Sequence, residues 1–562
     1  MSNRTSSLVS ADGTPLRITA AADTAHRAAT VYGQEAARWS PGLRPADAEI
    51  GPERDRIVAR SRDMGRNNAW VSGGVQRSVD QAIGSTFRLN YLPDWRALGI
   101  APEEARAFAR EVEAAWRMTA MDDRCPMDVQ GRLPFAAQMG LAYRQTIEDG
   151  EALALVHWKP RRWTACRTAI QIVDPDRLRN PSGKPDGPML RRGIEMDADG
   201  APVAYHITRS HPYAPWGPFG LVDTTRVPRT TPHGRRRVLH FFEPSRADQS
   251  RGRSAVTQGL IKAFMLDRYE GLEMQAAVAN AVFAAFMESP HDHQGFADAL
   301  GEGDRADPLS NYQDARLDYY ETAGRPTMDG MNIPMLFPGE KINFVSAMRP
   351  NAAFEGFVRT SLRYVATALG QSYEQLAQDW SQTNYSSARA ALLESWKYLL
   401  ARRGHFSAGF ATPVFALWLE DAVDSGLVRL PHGAPGFWQA YPAWVRAMWI
   451  GPGRGWVDPV KEAQAAGIRM DNDLSTLQQE AADQGLDWEE VLEQHAAVDD
   501  HRRALGLSGR KPSTVPVDSD DDPDAADRAE RQQQSAARLT EYEGKMAALQ
   551  AAAQARQPGN ME

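Results

Sequence analysis

Apolar residues recur at helical spacing along most of the chain and give way to strand-like alternation only between about residues 150 and 245. From Glu53 the pattern predicts a basic amphipathic helix, with Ile57 and Met64 on its apolar side and five arginines between Arg54 and Arg66. A second helical set around Val75, Val79 and Ile83 follows, and Gly84 ends it. Residues 102 to 124 carry Phe108, Val112 and Trp116 at spacing four, and Phe135 to Gly150 makes another helix. The run EALALVHW then reads as a buried strand. AIQIVDPDRL, GIEMDADGAPVAYHITRS and RRRVLHFFEP read as short strands divided by Asp-Pro and Asp-Gly turns.

The most regular helix is expected from Ser254 to Ser289. There Ile261, Met265, Tyr269, Leu272, Ala276, Ala279, Phe283 and Phe286 recur at spacings of four and three, as one apolar face. At 1.5 Å per residue this is a rod of ~50 Å, and its second half is rich in alanine on all sides. Residues 290 to 345 are irregular and close on a strand-like PGEKINFV. A second helix, Asn351 to Leu369, places Phe354, Val358, Leu362, Val365 and Leu369 on one face and Arg359 and Arg363 on another.

Between that helix and the next lies a polar, aromatic-studded stretch, Gln371 to Tyr385. A loop of this length without its own core is functional or disordered as a rule. Asn384, Ser386 and Ser387 have the side chains that accept the unpaired N–H groups of a first helical turn. The helix that follows carries Leu392, Trp396, Leu399, Phe406 and Phe410. Pro413 is expected to kink it, because proline removes one intrahelical bond, and it stops at Gly426. Residues 427 to 460 are rich in Trp (438, 444, 449, 456), and helices return until about Gly506. From Ser508 the chain reads as a disordered acidic linker, DSDDDPDAAD, and then a last polar helix, Ala525 to Ala555, an interaction tail. The first 50 residues, with Tyr32 and Trp39 as anchors, read as an arm.

Charge narrows the function. The formal net charge is -8, so no global basic field exists of the kind that drives sequence-independent nucleic-acid binding, and the arginines of the first helix read as a solvated face. Cys125 and Cys166 are the only cysteines, which excludes a disulfide framework and suits a reducing compartment. The N-terminus lacks a signal-peptide pattern and no apolar run reaches membrane-spanning length, so a soluble protein without membrane contact is expected.

Candidate chemistry is sparse. Asp174 and Asp176 flank Pro175 and read as a turn; Asp197, Asp199 and Gly200 read as a hairpin loop. His291, Asp292 and His293 form the only His-rich spot and support an alternative reading as a metal-dependent hydrolase or nuclease. No further His/Glu pair at helical spacing completes that set, so no metal site is expected. Gly451 to Gly455 lacks the Lys and hydroxyl of a phosphate loop, and no other nucleotide, zinc-protease, serine-hydrolase or redox motif occurs. No catalytic residue and no cofactor are expected, which leaves structure or assembly, including a scaffold or adaptor working through the acidic tail.

Several segments together resemble the lambda-type family of tailed-phage portal proteins. They are RSRDMGRNNAWVSGGVQRSVDQAIGS, IVDPDRL, HFFEPSRADQSRGRS, and the stretch from PGEKINFV through GQSYEQLAQDWSQTNYSSARAALLESW, of which NYSSARAALLE is the most specific. The resemblance covers about residues 25 to 505. It implies an α+β, mainly helical subunit with wing, stem, clip and crown regions, assembling into a ring, usually of twelve copies, around an axial channel. Such a ring sits at one vertex of the virion capsid after assembly in the host cytoplasm, and double-stranded DNA is packaged and ejected through it. Its implied partners are the terminase large subunit, the major capsid or scaffold protein and the head-tail connector.

Carried onto this chain, the resemblance implies an arm at 1–50, a wing-like region at 51–253 and stem helices at 254–289 and 346–370. A clip-like insertion lies at 290–345, a tunnel loop at 371–385, a kinked wing helix at 386–426, a crown-like region at 427–507 and a tail at 508–562. The implied DNA-channel residues are Gln371, Ser372, Gln375, Gln378, Asp379 and Trp380, continuing with Gln382, Asn384 and Tyr385. Arg359 and Arg363 on the second stem helix join them. A near-neutral to acidic conduit suits DNA that must slide, because neutralising many phosphates would hold it by counterion release.

Overall fold

A computed structural model describes residues 41–182, 184–214, 223–283, 354–455 and 459–507, with short pieces between 314 and 332. The N-terminal arm up to residue 40, most of the clip-like insertion with His291, Asp292 and His293, PGEKINFV, and the tail from residue 508 lie outside the described residues. The chain divides into two units, one ending at Trp488 and the other beginning at Glu489. The protein is mainly helical with strands, an α+β fold.

Helices α1 (Ala46–Asn67) and α2 (Ala69–Ala82) meet at Asn68, whose side chain accepts from the Val71 N–H and caps α2. Strand β1 (Arg88–Tyr91), the single turn α3 (Trp95–Leu98), and helices α4 (Pro102–Ala120) and α5 (Phe135–Glu148) follow. Strand β2 (Glu151–Trp158) is the centre of a three-stranded antiparallel sheet, between β3 (Thr168–Val173) and β8 (Val238–Phe242). Leu153 pairs with Val173 on one side and His240 on the other. A four-stranded antiparallel meander holds β4 (Leu190–Arg191), β5 (Ile194–Met196), β6 (Pro202–Thr208) and β7 (Thr224–Pro228). Its hairpin turn is the Asp197–Gly200 loop, with Asp197 accepting from Asp199 and Ala201. That matches the sequence expectation, as does the turn at Pro175, where Asp174 caps Asp176.

Helix α6 (Leu260–Phe283), the strand pair β9 (Thr327–Met328) and β10 (Met331–Asn332), and helices α7 (Phe354–Ala368), α8 (Tyr373–Ala377) and α9 (Tyr385–Phe406) come next. Helix α10 (Thr412–Asp424), the turn α11 (Tyr441–Trp444) and β11 (Ala447–Ile450) follow, then α12 (Pro459–Asp471), α13 (Leu477–Asp483) and α14 (Trp488–Ala504). No helix among the described residues is long and apolar enough to cross a membrane.

The core is an aromatic hub. Trp116 makes edge contacts with Phe135, Phe415, Trp418 and Trp449, and Trp449 stacks on Phe87 at 5.0 Å. Trp449 reaches this hub because β11 pairs with β1, Leu89 opposite Trp449. A boundary at residue 427 therefore does not separate two bodies: Trp444 and Trp449 are buried with Val75 and Phe415. Long-range strand pairing, invisible to local periodicity, is the reason.

The long helix is interrupted just before Pro413. A π-helical turn, Ser407–Ala411, precedes α10, and the dihedrals stay helical through Ala411 and Thr412. Proline falls in the first turn of α10, directly after the wider turn has already shifted the hydrogen-bond register, so its missing N–H disrupts little more. Gly409 within that turn lets Phe241 of β8 approach to where a Cβ would lie, 2.3 Å from its ring.

Candidate functional site

Three of the α1 arginines stay at the surface, and two turn inward. Arg54 is buried and donates to Glu151 at 2.8 Å. Arg62 donates to Asp149 at 2.7 Å, Asp176 at 2.8 Å and Asp174 at 2.9 Å. The solvated-face reading of this helix is thus corrected for Arg54 and Arg62, because carboxylates a hundred residues on in sequence reach them.

Glu151, fully buried at the start of β2, also accepts from Arg251 Nε at 2.8 Å, from the Gly252 N–H at 2.9 Å, and lies 3.1 Å from His240. Burial acts to raise the pKa of Glu151, but the charges of Arg251 and Arg54 with His240 outweigh it and hold the carboxyl well below its usual range. Burial pushes Asp149 up to about 6, against the pull of Arg62. This network fixes residues 251 to 254 against α1 and β2, and α6 starts six residues after Ser254. It sets the base of the long helix.

Helix α6 buries Leu260, Ala263 and Leu266, while Ile261, Met265 and Leu272 are 57 %, 60 % and 52 % exposed. Most of the apolar stripe seen in the sequence is therefore left bare within one chain; periodicity identifies the stripe but not what covers it. Helix α7 packs on α6 through Tyr269 with Phe354 and Phe357.

The stretch 371–385 divides in two. Its first half is docked: Ser372 and Gln375 form a capping box for α8, Leu376 is completely buried, and the Arg77 guanidinium donates to the Leu376 carbonyl at 3.0 Å. Gln371 Nε2 donates to the Gly74 carbonyl and to Ser78 Oγ, both at 2.8 Å. Gln371 and the Leu376 carbonyl therefore hold the loop to α2 while Ser372 and Gln375 cap α8, and the expectation of a coreless loop is corrected for residues 371 to 377. A lone Leu in a polar run was the signal available.

The second half is exposed. Gln378, in the left-handed conformation at φ 55°, ends α8. Asp379 accepts from Ser381 N and Oγ and from the Tyr373 hydroxyl, which keep its carboxyl below the usual range. Trp380 and Gln382 face solvent, and Asn384 caps α9 by accepting from the Ser387 N–H at 2.9 Å. Tyr385 is the first residue of α9. Arg363 lies 5.7 Å over the Tyr373 ring, and Arg359 pairs with Glu355 and raises the local positive potential at Asp379. The two arginines, Tyr373 and Asp379 thus share one place, beside the exposed loop.

Gly370 joins α7 to this loop. Its N–H donates to Thr367, the Gln371 N–H to Ala366, and its φ is 67°. A Cβ here would lie 2.2 Å from the Tyr398 ring of α9. Gly370→Ala is expected to lose about 2 kcal/mol or more in thermal or denaturant unfolding, since the backbone alone costs about 1–2 kcal/mol. Adding Tyr398→Ala should recover the overlap part and not the backbone part.

A metal reading finds little here. Among the described residues, Asp174, Asp176 and His211 are the group close enough to share an ion. Arg62 already donates to both carboxylates, so the donor set is that of an ion-pair network. His291, Asp292 and His293 lie outside the described residues.

Fold and site together give a mainly helical body, an apolar helix rising from a buried ionic base, and a docked loop with an exposed tip. A family model described as phage portal protein, lambda family, matches residues 32–403, and the chain belongs to that family. It is 35 % identical over 480 residues to the portal protein of Escherichia phage N15, covering 85 % of this chain and 90 % of that one. It is 34 % identical over 486 residues to portal protein B of Escherichia phage lambda, covering 86 % and 90 %. A structure titled neck of empty gene transfer agent particle computed with C6 symmetry aligns over 86 % of this chain and 100 % of that one, at 15 % identity and a TM-score of 0.38.

Proposed function

We propose that the protein forms a ring, of twelve copies in the assembled particle, at one vertex of a viral head, through which double-stranded DNA is packaged and ejected. The bare apolar face of α6 carries this reading. Burying one large aliphatic side chain gains about 1.5–3 kcal/mol, and Ile261, Met265 and Leu272 on this face are all more than half exposed in one chain. A neighbouring copy covers them. In this reading α6 and α7 are the stem, residues 290–345 the clip that docks the terminase, and residues 378–384 the part of the tunnel loop that faces DNA. Arg359 and Arg363 stand at its edge. The body before residue 253, with α9 and α10, is the wing, and the crown starts only after β11. Capsid or scaffold protein and the head-tail connector are the other partners, the ring being built in the host cytoplasm and carried in the virion.

Light scattering and electron images down the particle axis test this. The native protein is expected as a ring, and Met265→Asp with Leu272→Asp as a folded monomer with unchanged helical circular dichroism. A native protein that stays monomeric at every concentration and ionic strength overturns the proposal.

A further inference from the structure

Asp379 follows the residue that ends α8 and is turned back onto the start of that helix. Gln378 makes the turn by taking the left-handed conformation, with its amide nitrogen donating to the Gln375 carbonyl at 2.7 Å. Asp379 Oδ2 accepts from the Tyr373 hydroxyl at 3.0 Å. Its Oδ1 accepts from the Ser381 N–H at 3.1 Å and from the Ser381 hydroxyl at 2.6 Å. Three donors thus fix a carboxylate in a segment whose neighbours Gln378, Trp380, Ser381 and Gln382 are exposed.

The two arginines of α7 stand on the other side of Tyr373. Arg363 lies 5.7 Å over its ring. Arg359 and Asp379 act on the Tyr373 hydroxyl in opposite senses, the arginine lowering its pKa and the carboxylate raising it, and the Arg359 charge also helps to hold Asp379 ionised. Arg359 pairs with Glu355 one turn back on α7, but that carboxylate is 81 % exposed, and exposed pairs of this kind hold a cation only weakly. Arg359 Nε is buried and has no hydrogen-bond partner among the described residues.

Hydroxyls, a backbone N–H and arginines are also the groups that hold DNA phosphate oxygens. A carboxylate and a phosphodiester each carry one negative charge, so one can take the place of the other without changing the charge of the site. We propose, on the ring reading above, that Asp379 is an internal stand-in for DNA phosphate: its carboxylate occupies, beside Tyr373, Arg359 and Arg363, the position that a backbone phosphate takes as the duplex passes. Each incoming phosphate must displace Asp379, and the contacts broken offset most of the attraction to the arginines. DNA is met there without being held, as sliding requires.

Binding of a short blunt DNA duplex to the full-length protein, with assembly followed by light scattering, tests this. Asp379→Asn is expected to bind about fivefold or more tightly than the native protein in low salt, with a steeper dependence on salt, because arginines freed of the carboxylate neutralise more phosphates. Asp379→Glu, which restores the charge, should recover the native affinity at least in part. The gain should vanish when Arg359→Gln and Arg363→Gln are added. Glu374→Gln, which removes a negative charge from the first turn of α8, should not reproduce it. Tyr373→Phe takes away one donor and leaves the Ser372–Gln375 capping box intact, so it should speed deuterium exchange of residues 379–383 with little change in the thermal midpoint.

Unchanged affinity in Asp379→Asn, a gain that survives loss of both arginines, or an equal gain in Glu374→Gln overturns the stand-in role while leaving the ring in place. So does exchange unaltered by Tyr373→Phe. A native protein that forms no ring takes both down together.

Discussion

Glu151→Gln lowers the thermal midpoint of the protein by several degrees and shifts much of it to the insoluble fraction. The reason is arithmetic of charge in a dry place. Arg54 and Arg251 are both almost wholly buried, and Glu151 is the carboxylate that each contacts most closely. Taking away one partner of a buried ion pair costs about 3–5 kcal/mol, because the remaining charge keeps its desolvation penalty and loses its compensation. Here two guanidinium groups are stranded by one substitution, and glutamine can replace the hydrogen bonds only in part. Because residues 251–254 lead into α6, the loss should also appear as increased proteolysis at the base of that helix. A midpoint unchanged from the native protein would refute the network's role.

The pH dependence follows from the same groups. The folded carboxyl of Glu151 is depressed, so its stabilisation is complete above its ordinary value of 4.5 and is lost as pH falls below it. The native protein and Glu151→Gln should therefore converge in stability under acid conditions. Asp149 works in the other direction: its folded value is raised from 3.8 to about 6, so its contribution is greatest below that window and is lost as pH rises through it. Asp149→Asn should flatten the stability profile between these values.

Local chemistry was readable from sequence wherever a few adjacent residues decide the outcome. The buried run EALALVHW is β2, the Asp-Pro-Asp turn is the 3-10 turn capped by Asp174, and Asn384 caps α9. What escaped depends on partners far along the chain. Nothing in the α1 sequence distinguishes Arg54, which meets Glu151, from Arg56, which meets solvent. The α6 stripe was visible, yet Leu260, Ala263 and Leu266 are the residues this chain covers, and Ile261, Met265 and Leu272 are left bare. Hydrophobic pattern says that a face must be covered and cannot say by which chain. In the loop, the polarity of Gln371 and Gln375 concealed that both are spent on anchoring: one bonds α2, and the other closes a capping box above Leu376.

That division makes the strongest prediction about the loop. Deleting Asp379 to Thr383 and closing the gap with glycine should leave ring assembly and thermal stability within experimental scatter, because this tip buries little and bonds mainly to itself. DNA packaged and retained per head should nevertheless fall to a small fraction of the native amount, since the exposed tip beside Arg359 and Arg363 is the part that meets the duplex in the proposed ring. Leu376→Asp should do the reverse, costing about 3 kcal/mol or more by placing an unpaired carboxylate in the core and impairing assembly before DNA is involved. The first variant is read by nuclease-protected DNA per particle, the second by unfolding and light scattering. Heads filled normally by the deletion variant would remove the tip from the DNA path. Native stability in Leu376→Asp would mean that residues 371–377 are not docked on α2 in the assembled ring.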